Sequence, residues 1–133
     1  MKIKVGINGM GRIGRMVLRS IIEDKKSDIE IKHINNRSNS EVCANLIKYD
    51  SIHGKFNAKI KFYEKEIAIN NKKITYTRET DITKINWKKY KVDYVLECTG
   101  KFNSKKKLQV FIKNGVKKVI VSAPCKNADR TVV

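Results

Sequence analysis

Gly9, Gly11 and Gly14 stand at the spacing G-x-G-x-x-G within the stretch GINGMGRIG, in a chain of 133 residues that holds only seven glycines. The chemistry that such spacing serves is anion binding. The first glycine permits a tight strand-to-helix turn, the second lets backbone approach a pyrophosphate, and the third lets the helix pack close to the strand. A helix starting there presents unpaired N–H groups and the positive end of its dipole to the anion. Two later strand ends offer hydroxyls, Thr99 beside Gly100 in ECTGKF and Ser122 in VSAP. Ligands of open α/β sheets collect at such carboxyl ends.

A dinucleotide site also calls for an acidic residue about 20 positions on, to hold the adenosine ribose hydroxyls. That place falls in HINNRS, on Asn36, with Arg37 next to it. Asparagine can bond a hydroxyl and carries no charge to repel a 2′-phosphate. Two readings stand side by side: specificity relaxed toward NADP, or a neutral replacement with Arg37 in solvent. The three cysteines, Cys43, Cys98 and Cys125, show no CxxC spacing, so neither a disulfide framework nor a metal site is expected. Cys98 reads as a small apolar filler at a strand end, and Cys125 has no neighbouring base to make it a nucleophile. His33 reads as a packing residue of a strand, and His53 as a residue that orders its loop.

The elements that must position these residues are legible from periodicity. Lys2–Ile7 reads as a buried strand, and Ile13, Met16, Val17 and Ile21 recur at the steps of a helix packed on a sheet. Ile29, Ile31 and Ile34 mark a second strand, which makes a right-handed βαβ unit. Ser38 and Glu41 fit a capping box for a helix over about 39–48. The stretch 58–77 alternates at period two with Asn70-Asn71 as a turn, and reads as an antiparallel insertion rather than a continuation of the parallel sheet. VDYVLECTG reads as a strand, 104–113 as a helix with Leu108, Phe111 and Ile112 on one face, and KKVIVSAP as another buried strand. The fold class is therefore α/β, a Rossmann-type parallel sheet with helices on both faces and an antiparallel insertion around 58–77, in one dinucleotide-binding domain over 1–133.

Composition sets bounds. The hydrophobic share of 41% and the single proline suit an ordered globular chain. The formal charge of +17 invites a nucleic-acid reading. That charge comes from 24 lysines and 6 arginines, the lysines spread from Lys2 to Lys126. A solvated lysine surface fits this better than a specific nucleic-acid face, which favours arginine paired with aromatics. No stretch approaches the roughly 18 apolar residues of a membrane helix, and the first twenty residues resemble no leader. The chain is read as cytoplasmic, with no membrane and no specific nucleic-acid partner.

KVGINGMGRIGR, LIKYDSIHGKF, KINW, ECTGKF and VIVSAP follow, in order and spacing, the N-terminal domain of the phosphorylating glyceraldehyde-3-phosphate dehydrogenases. The resemblance covers essentially the whole chain. It implies a Rossmann domain followed by a catalytic domain, a homotetramer, and oxidation of an aldehyde to an acyl phosphate through a cysteine thioester with hydride transfer to NAD or NADP. Erythrose-4-phosphate dehydrogenases share these motifs, and a stand-alone basic Rossmann module that binds polyanions is the reading from another class. Carried onto this sequence, the resemblance makes Arg12 and Ile13 the backbone clamp on the pyrophosphate. Thr99 and Ser122 become contacts to the nicotinamide half, and Phe102 the aromatic beside the adenine. With Asn8, Gly9, Gly11, Asn36, Arg37 and Gly100 these are the candidate cofactor residues. Two positions depart from the family pattern: Asn36 stands for the usual aspartate, and Thr80 for an arginine, with Arg78 two residues earlier. The nucleophile segment of the family has no counterpart here. The chain is thus expected to be a cofactor domain truncated before its catalytic domain, with no catalytic residue of its own.

Overall fold

Nine strands and three helices make up the computed structural model, which describes residues 2–50, 54–55, 58–100 and 105–122. Strand β1 (Ile3–Asn8) leads into helix α1 (Arg12–Glu23), and β2 (Ile29–Asn35) into α2 (Ser40–Lys48). Two short strands, β3 (Tyr49–Asp50) and β4 (Gly54–Lys55), pair with each other. A meander follows, β5 (Ile60–Tyr63), β6 (Glu66–Ile69) and β7 (Lys72–Thr77), then two single-turn 3-10 segments, Ile82–Lys84 and Trp87–Tyr90. Strand β8 (Tyr94–Glu97), helix α3 (Lys105–Lys113) and β9 (Lys118–Val121) complete the order. No helix among the described residues is long and apolar enough to cross a membrane.

The main sheet has seven strands in the order β5-β6-β7-β2-β1-β8-β9. β7, β2, β1, β8 and β9 run parallel, and β5-β6-β7 pair antiparallel. The expected insertion therefore has a second identity: β7 closes the meander and is also a parallel neighbour of β2, with His33 opposite Thr75. Alternation reports which faces a strand buries but not the direction of its partner, so the sequence could not separate insertion from continuation. Asn70 and Asn71 form the β6–β7 turn with φ of 51° and 69°, the left-handed pair that a two-residue hairpin of this twist requires.

Side-chain alternation along β1 divides the core between the two faces of the sheet. Val5 and Ile7 join Leu18 of α1 and Cys43 and Ile47 of α2 in one buried cluster. Gly6 faces the other way, where an added Cβ would lie 2.6 Å from the Trp87 ring, within a second cluster of Trp87, Val92, Val95, Leu108 and Phe111. Helices thus cover both faces, as parallel strands demand. Ile112 departs from its expected buried place and is 47% exposed, while Leu108 and Phe111 are buried. β9 likewise alternates between exposed and half-buried positions, with Ile120 58% exposed. It is the edge strand of the described sheet and has a neighbour on one side only.

The capping box is also shifted by one residue. Asn39, not Ser38, caps α2, its side chain accepting the Val42 N–H at 2.9 Å. Ser38 is already engaged: its hydroxyl accepts from Asn36 Nδ2 at 2.9 Å and its carbonyl from the Tyr76 hydroxyl at 2.5 Å.

Candidate functional site

The carboxyl ends of β7, β2, β1 and β8 meet around a cleft of about 250 Å³ lined by Asn8, Gly9, Gly11, Asn35, Asn36, Arg37, Glu79, Thr80, Ile82, Cys98 and Thr99. At its floor the glycine loop leaves β1 and enters α1. Gly9 has φ of +95° and its missing Cβ would strike Thr99 Cγ2 at 2.7 Å, so strand end and loop fit only through glycine here. A Cβ at Gly14 would collide with the Gly9 carbonyl oxygen, which is how α1 comes to start so close to β1. Gly11 is the opposite case: a Cβ there would meet no atom within 4 Å. It points into open space at the start of α1.

That helix start is chemically unfinished. Gly11 is the N-cap and supplies no side chain, and the first turn contains no acid. Arg12 and Ile13 occupy this turn and are exposed. The open space over Gly11, an uncapped helix start and the absence of a nearby first-turn carboxylate together suit a phosphate group. Arg15 supports the loop from behind, one guanidinium N–H bonding the Met10 carbonyl at 3.1 Å.

Asn36 is occupied on both sides of its amide. Its Oδ1 accepts the Met10 N–H at 3.1 Å, and its Nδ2 donates to Ser38. The residue expected at the ribose therefore ties the glycine loop to the end of β2. Arg37 lines the cleft with an exposed side chain, and its carbonyl accepts from Arg78 Nε at 2.9 Å. Two guanidinium-bearing residues thus adjoin at the β2 and β7 ends, and Thr80 lines the cleft beyond them. Thr99 and Gly100 leave β8 at the other side. Ser122 follows β9, donates its N–H to the Glu97 carbonyl at 3.0 Å and hydrogen-bonds the Cys98 thiol through its side chain. Burial pushes that thiol above its ordinary range, so Cys98 behaves as filler. Phe102, His53 and Cys125 lie outside the described residues.

Sequence reading missed the polar network beneath the cleft. Glu97, Asn8 and Asn35, from three adjacent strand ends, are all buried. Asn35 Oδ1 accepts from the Glu79 N–H at 2.9 Å and the Thr77 hydroxyl at 2.6 Å. Its Nδ2 donates to the Glu79 carbonyl and to Asn8 Oδ1, each at 2.8 Å. Asn8 Nδ2 donates to Glu97 Oε2 at 2.7 Å, while Glu97 Oε1 receives the Thr99 N–H at 2.8 Å and the Thr99 hydroxyl at 2.5 Å. Desolvation raises the Glu97 carboxyl, against hydrogen bonds from Thr99 and Asn8 that lower it. The sequence signal was a glutamate ending an otherwise apolar strand.

His33 adjoins this network from the Trp87 side. It is fully buried, stacked on Tyr90 at 3.9 Å between centroids and edge-on to Trp87 at 5.4 Å. Its ring nitrogens meet the hydroxyls of Thr75 at 2.6 Å and Thr77 at 2.8 Å. Burial lowers its pKa to about 4, so the ring is neutral at pH 7. The packing role expected from the sequence is the one it has.

A larger depression of about 440 Å³ lies between the first 3-10 turn and the end of α3, lined by Lys84, Lys88 and Lys113 among others. It is shallow and wide open, its three lysines are exposed, and none of its lining comes from the strands. The smaller cleft is the one where the fold's strand ends and helix dipole converge.

Residues 3–105 match the family described as glyceraldehyde 3-phosphate dehydrogenase, NAD binding domain. The chain belongs to this family. Glyceraldehyde-3-phosphate dehydrogenase of Thermotoga maritima is 44% identical over 130 residues, covering 98% of this chain and 39% of that protein. Glyceraldehyde-3-phosphate dehydrogenase 2 of Bacillus subtilis is 44% identical over 133 residues, covering 100% of this chain and 38% of its own length. The counterpart from Geobacillus stearothermophilus is 41% identical over 133 residues, 39% of its length. The chain thus spans about two fifths of the relatives it matches.

Proposed function

We propose that the cleft at the carboxyl edge of the sheet binds a nicotinamide dinucleotide and that the chain serves as the cofactor half of an aldehyde dehydrogenase of the phosphorylating type. The observation that carries this reading is the open position over Gly11 at an uncapped helix start. The pyrophosphate would be held by backbone N–H groups of the Gly9–Ile13 turn, the adenosine end by the β2 and β7 ends, and the nicotinamide end by Thr99, Gly100 and Ser122. Phe102 completes the adenosine side in the same proposal. A bound nicotinamide supplies a hydride acceptor. The residues here orient that cofactor, hold its phosphates and exclude water from the strand ends.

The adenosine end is proposed to accept NADP at least as well as NAD. No carboxylate stands at position 36 to repel a 2′-phosphate, and Arg37 and Arg78 supply guanidinium groups beside it, each worth on the order of 1.5–3 kcal/mol in a charge-assisted pair. Calorimetric titration of both dinucleotides into the native chain and into Asn36→Asp tests this. Asn36→Asp is expected to move the ratio of affinities toward NAD by about tenfold, and an unchanged ratio that already favours NAD would refute the NADP reading. Weak salt dependence of the binding would separate a dinucleotide site from the lysine-driven polyanion alternative, whose affinity collapses as salt rises.

The wider activity belongs to the same proposal. The whole protein would oxidise glyceraldehyde 3-phosphate, or erythrose 4-phosphate, as a cytoplasmic homotetramer without a specific nucleic-acid partner. The 133 residues by themselves would bind cofactor without turning over aldehyde, because Cys43 and Cys98 are buried or half-buried fillers rather than activated thiols. Burial raises the Cys43 pKa to about 11. Aldehyde-dependent reduction of cofactor by the purified 133-residue chain would overturn this.

A further inference from the structure

The hydrogen bonds beneath the cleft have a fixed direction. Asn35 Oδ1 is held by the Glu79 N–H, a backbone donor, and Asn35 Nδ2 by the Glu79 carbonyl and Asn8 Oδ1. Asn8 therefore turns its own Nδ2 to Glu97 Oε2. A second backbone donor, the Thr99 N–H, meets Glu97 Oε1, and the Thr99 hydroxyl joins it. Both Glu97 oxygens thus face donors, which suits a carboxylate with no proton of its own. A proton on Oε2 would confront the Asn8 amide, and one on Oε1 would displace a donor of Thr99.

Thr99 in turn is packed against the glycine loop. The space that a Cβ at Gly9 would need is filled by Thr99 Cγ2 at 2.7 Å and the Thr99 nitrogen at 2.9 Å. Cys98 donates its N–H to the Asn8 carbonyl at 2.8 Å, at the same crossing of β8 and β1. The residue that Glu97 holds is therefore a wall of the turn that leads to Gly11. We propose that Glu97 is a positioning residue that must be ionised for the cleft to take a dinucleotide, so that binding drives any proton on its carboxyl out to solvent. Dinucleotide binding in the cleft is the premise, whichever half lies nearest Thr99.

Glu97 is fully buried, and burial raises its carboxyl above the ordinary range, against the lowering bonds from Thr99 and Asn8. In the free protein it takes up a proton at higher pH than an exposed glutamate does. Few titratable groups surround it. Cys98 is pushed up by burial and, in smaller part, by the Glu97 charge. His33, stacked on Tyr90, joins the network through Thr77 and Asn35, and Glu79 meets it through backbone groups. From β9 comes the Ser122 N–H, which bonds the Glu97 carbonyl. No charged side chain among the described residues acts on the carboxyl. Where the filled cleft needs the carboxylate, binding lowers its pKa. Affinity is then whole above the free-state pKa and is lost as pH falls through it.

Carbon-detected NMR of the Glu97 carboxyl in the native protein, free and saturated with NAD, tests this. The free midpoint should lie at higher pH than the bound one, and equal midpoints would overturn the proposal. Titration calorimetry across the free midpoint should find the dissociation constant rising about tenfold per pH unit below it, the limit for one proton. Glu97→Gln should bind weakly and lose this dependence, whereas His33→Gln should keep it. A dependence that survives Glu97→Gln, or vanishes in His33→Gln, would place the proton elsewhere and overturn the role of Glu97. Glu97→Gln puts two amide donors face to face at Asn8 and can fail to fold; the two native midpoints then decide. Failure of the native protein to bind NAD at any pH would instead refute the cofactor reading itself, and the Glu97 proposal with it.

Discussion

Two of the helices that follow parallel strands, α1 and α2, begin in opposite ways. At α2 the chain completes its own helix: Asn39 accepts the Val42 N–H, and Glu41 places a negative charge in the first turn. At α1 the cap is Gly11, which brings no side chain to the free N–H groups, and no acid enters the first turn. Both starts leave orphan donors by geometry. The difference is which partner satisfies them, and only the α1 start opens on a cleft. In the proposed reading, the pyrophosphate is the partner that the α1 start lacks and the α2 start supplies for itself.

The sharpest way to break the comparison is Gly14→Ala. A methyl group there lands on the Gly9 carbonyl, which is backbone and can yield only if the loop moves. The expected cost is roughly 3 kcal/mol of stability, at the upper end for overpacking, with loss of dinucleotide binding. A thermal melt unchanged from native would mean that the close approach of α1 and β1 is not required.

A second test uses His33, buried on the Trp87 side of the sheet. The folded-state pKa of His33, about 4, lies below its ordinary 6.5, so the unfolded chain takes up a proton that the native ring resists. Its contribution to stability is whole above pH 6.5 and is lost as pH falls toward 4. About 2 kcal/mol should disappear between about pH 7 and 5. Urea midpoints over that range, native against His33→Gln, measure it. A native slope no steeper than that of the variant would show that the ring is not held neutral.

Gly11→Ala separates binding from folding. Its Cβ meets nothing, and φ of −70° suits alanine, so stability should stay within about 0.5 kcal/mol. The methyl nonetheless enters the space proposed for the pyrophosphate, and dinucleotide affinity should fall about tenfold, or 1.4 kcal/mol. Native affinity in this variant would place the phosphates elsewhere.

Much of this was legible in the sequence because the signals are local. The glycine spacing, the apolar runs of β1, β2 and β8, and the Asn70-Asn71 turn each follow from the conformational needs of a few neighbouring residues. What stayed hidden depends on strand order. Asn8, Asn35 and Glu97 are up to 89 positions apart and meet only because β2, β1 and β8 are neighbours. Without that order, two asparagines in polar strand ends and a glutamate before a threonine carry no pattern. The direction of β7 was hidden for the same reason. Asn36 shows a subtler limit: it follows β2 and lines the cleft, yet its amide is turned to Met10 and Ser38 by contacts no spacing rule contains.

The cap of α2 is the smallest effect and the cleanest control. Ser38 and Asn39 are both good N-cap types, and Ser38 with Glu41 fits the capping-box spacing, so residue type cannot choose between them. The structure chooses Asn39, whose φ of −70° and ψ of 168° place its side chain over the Val42 N–H. With Asn39 as the cap, the third helical residue is Val42, so the reciprocal half of a capping box is absent and Glu41 acts through its charge alone. Asn39→Ala should therefore cost about 1 kcal/mol, while Ser38→Ala, losing a part-buried bond from Asn36, should cost less than that. Asn39 bonds within α2 and is not among the residues that line the cleft, so the Asn39 variant should bind dinucleotide as the native chain does. Matched thermal melts of the two variants decide the cap, and a larger loss from Ser38→Ala would return the helix start to the earlier residue. If Asn39→Ala also weakened dinucleotide binding, the two helix ends would not be independent, and the contrast between a finished start and an open one would lose its meaning.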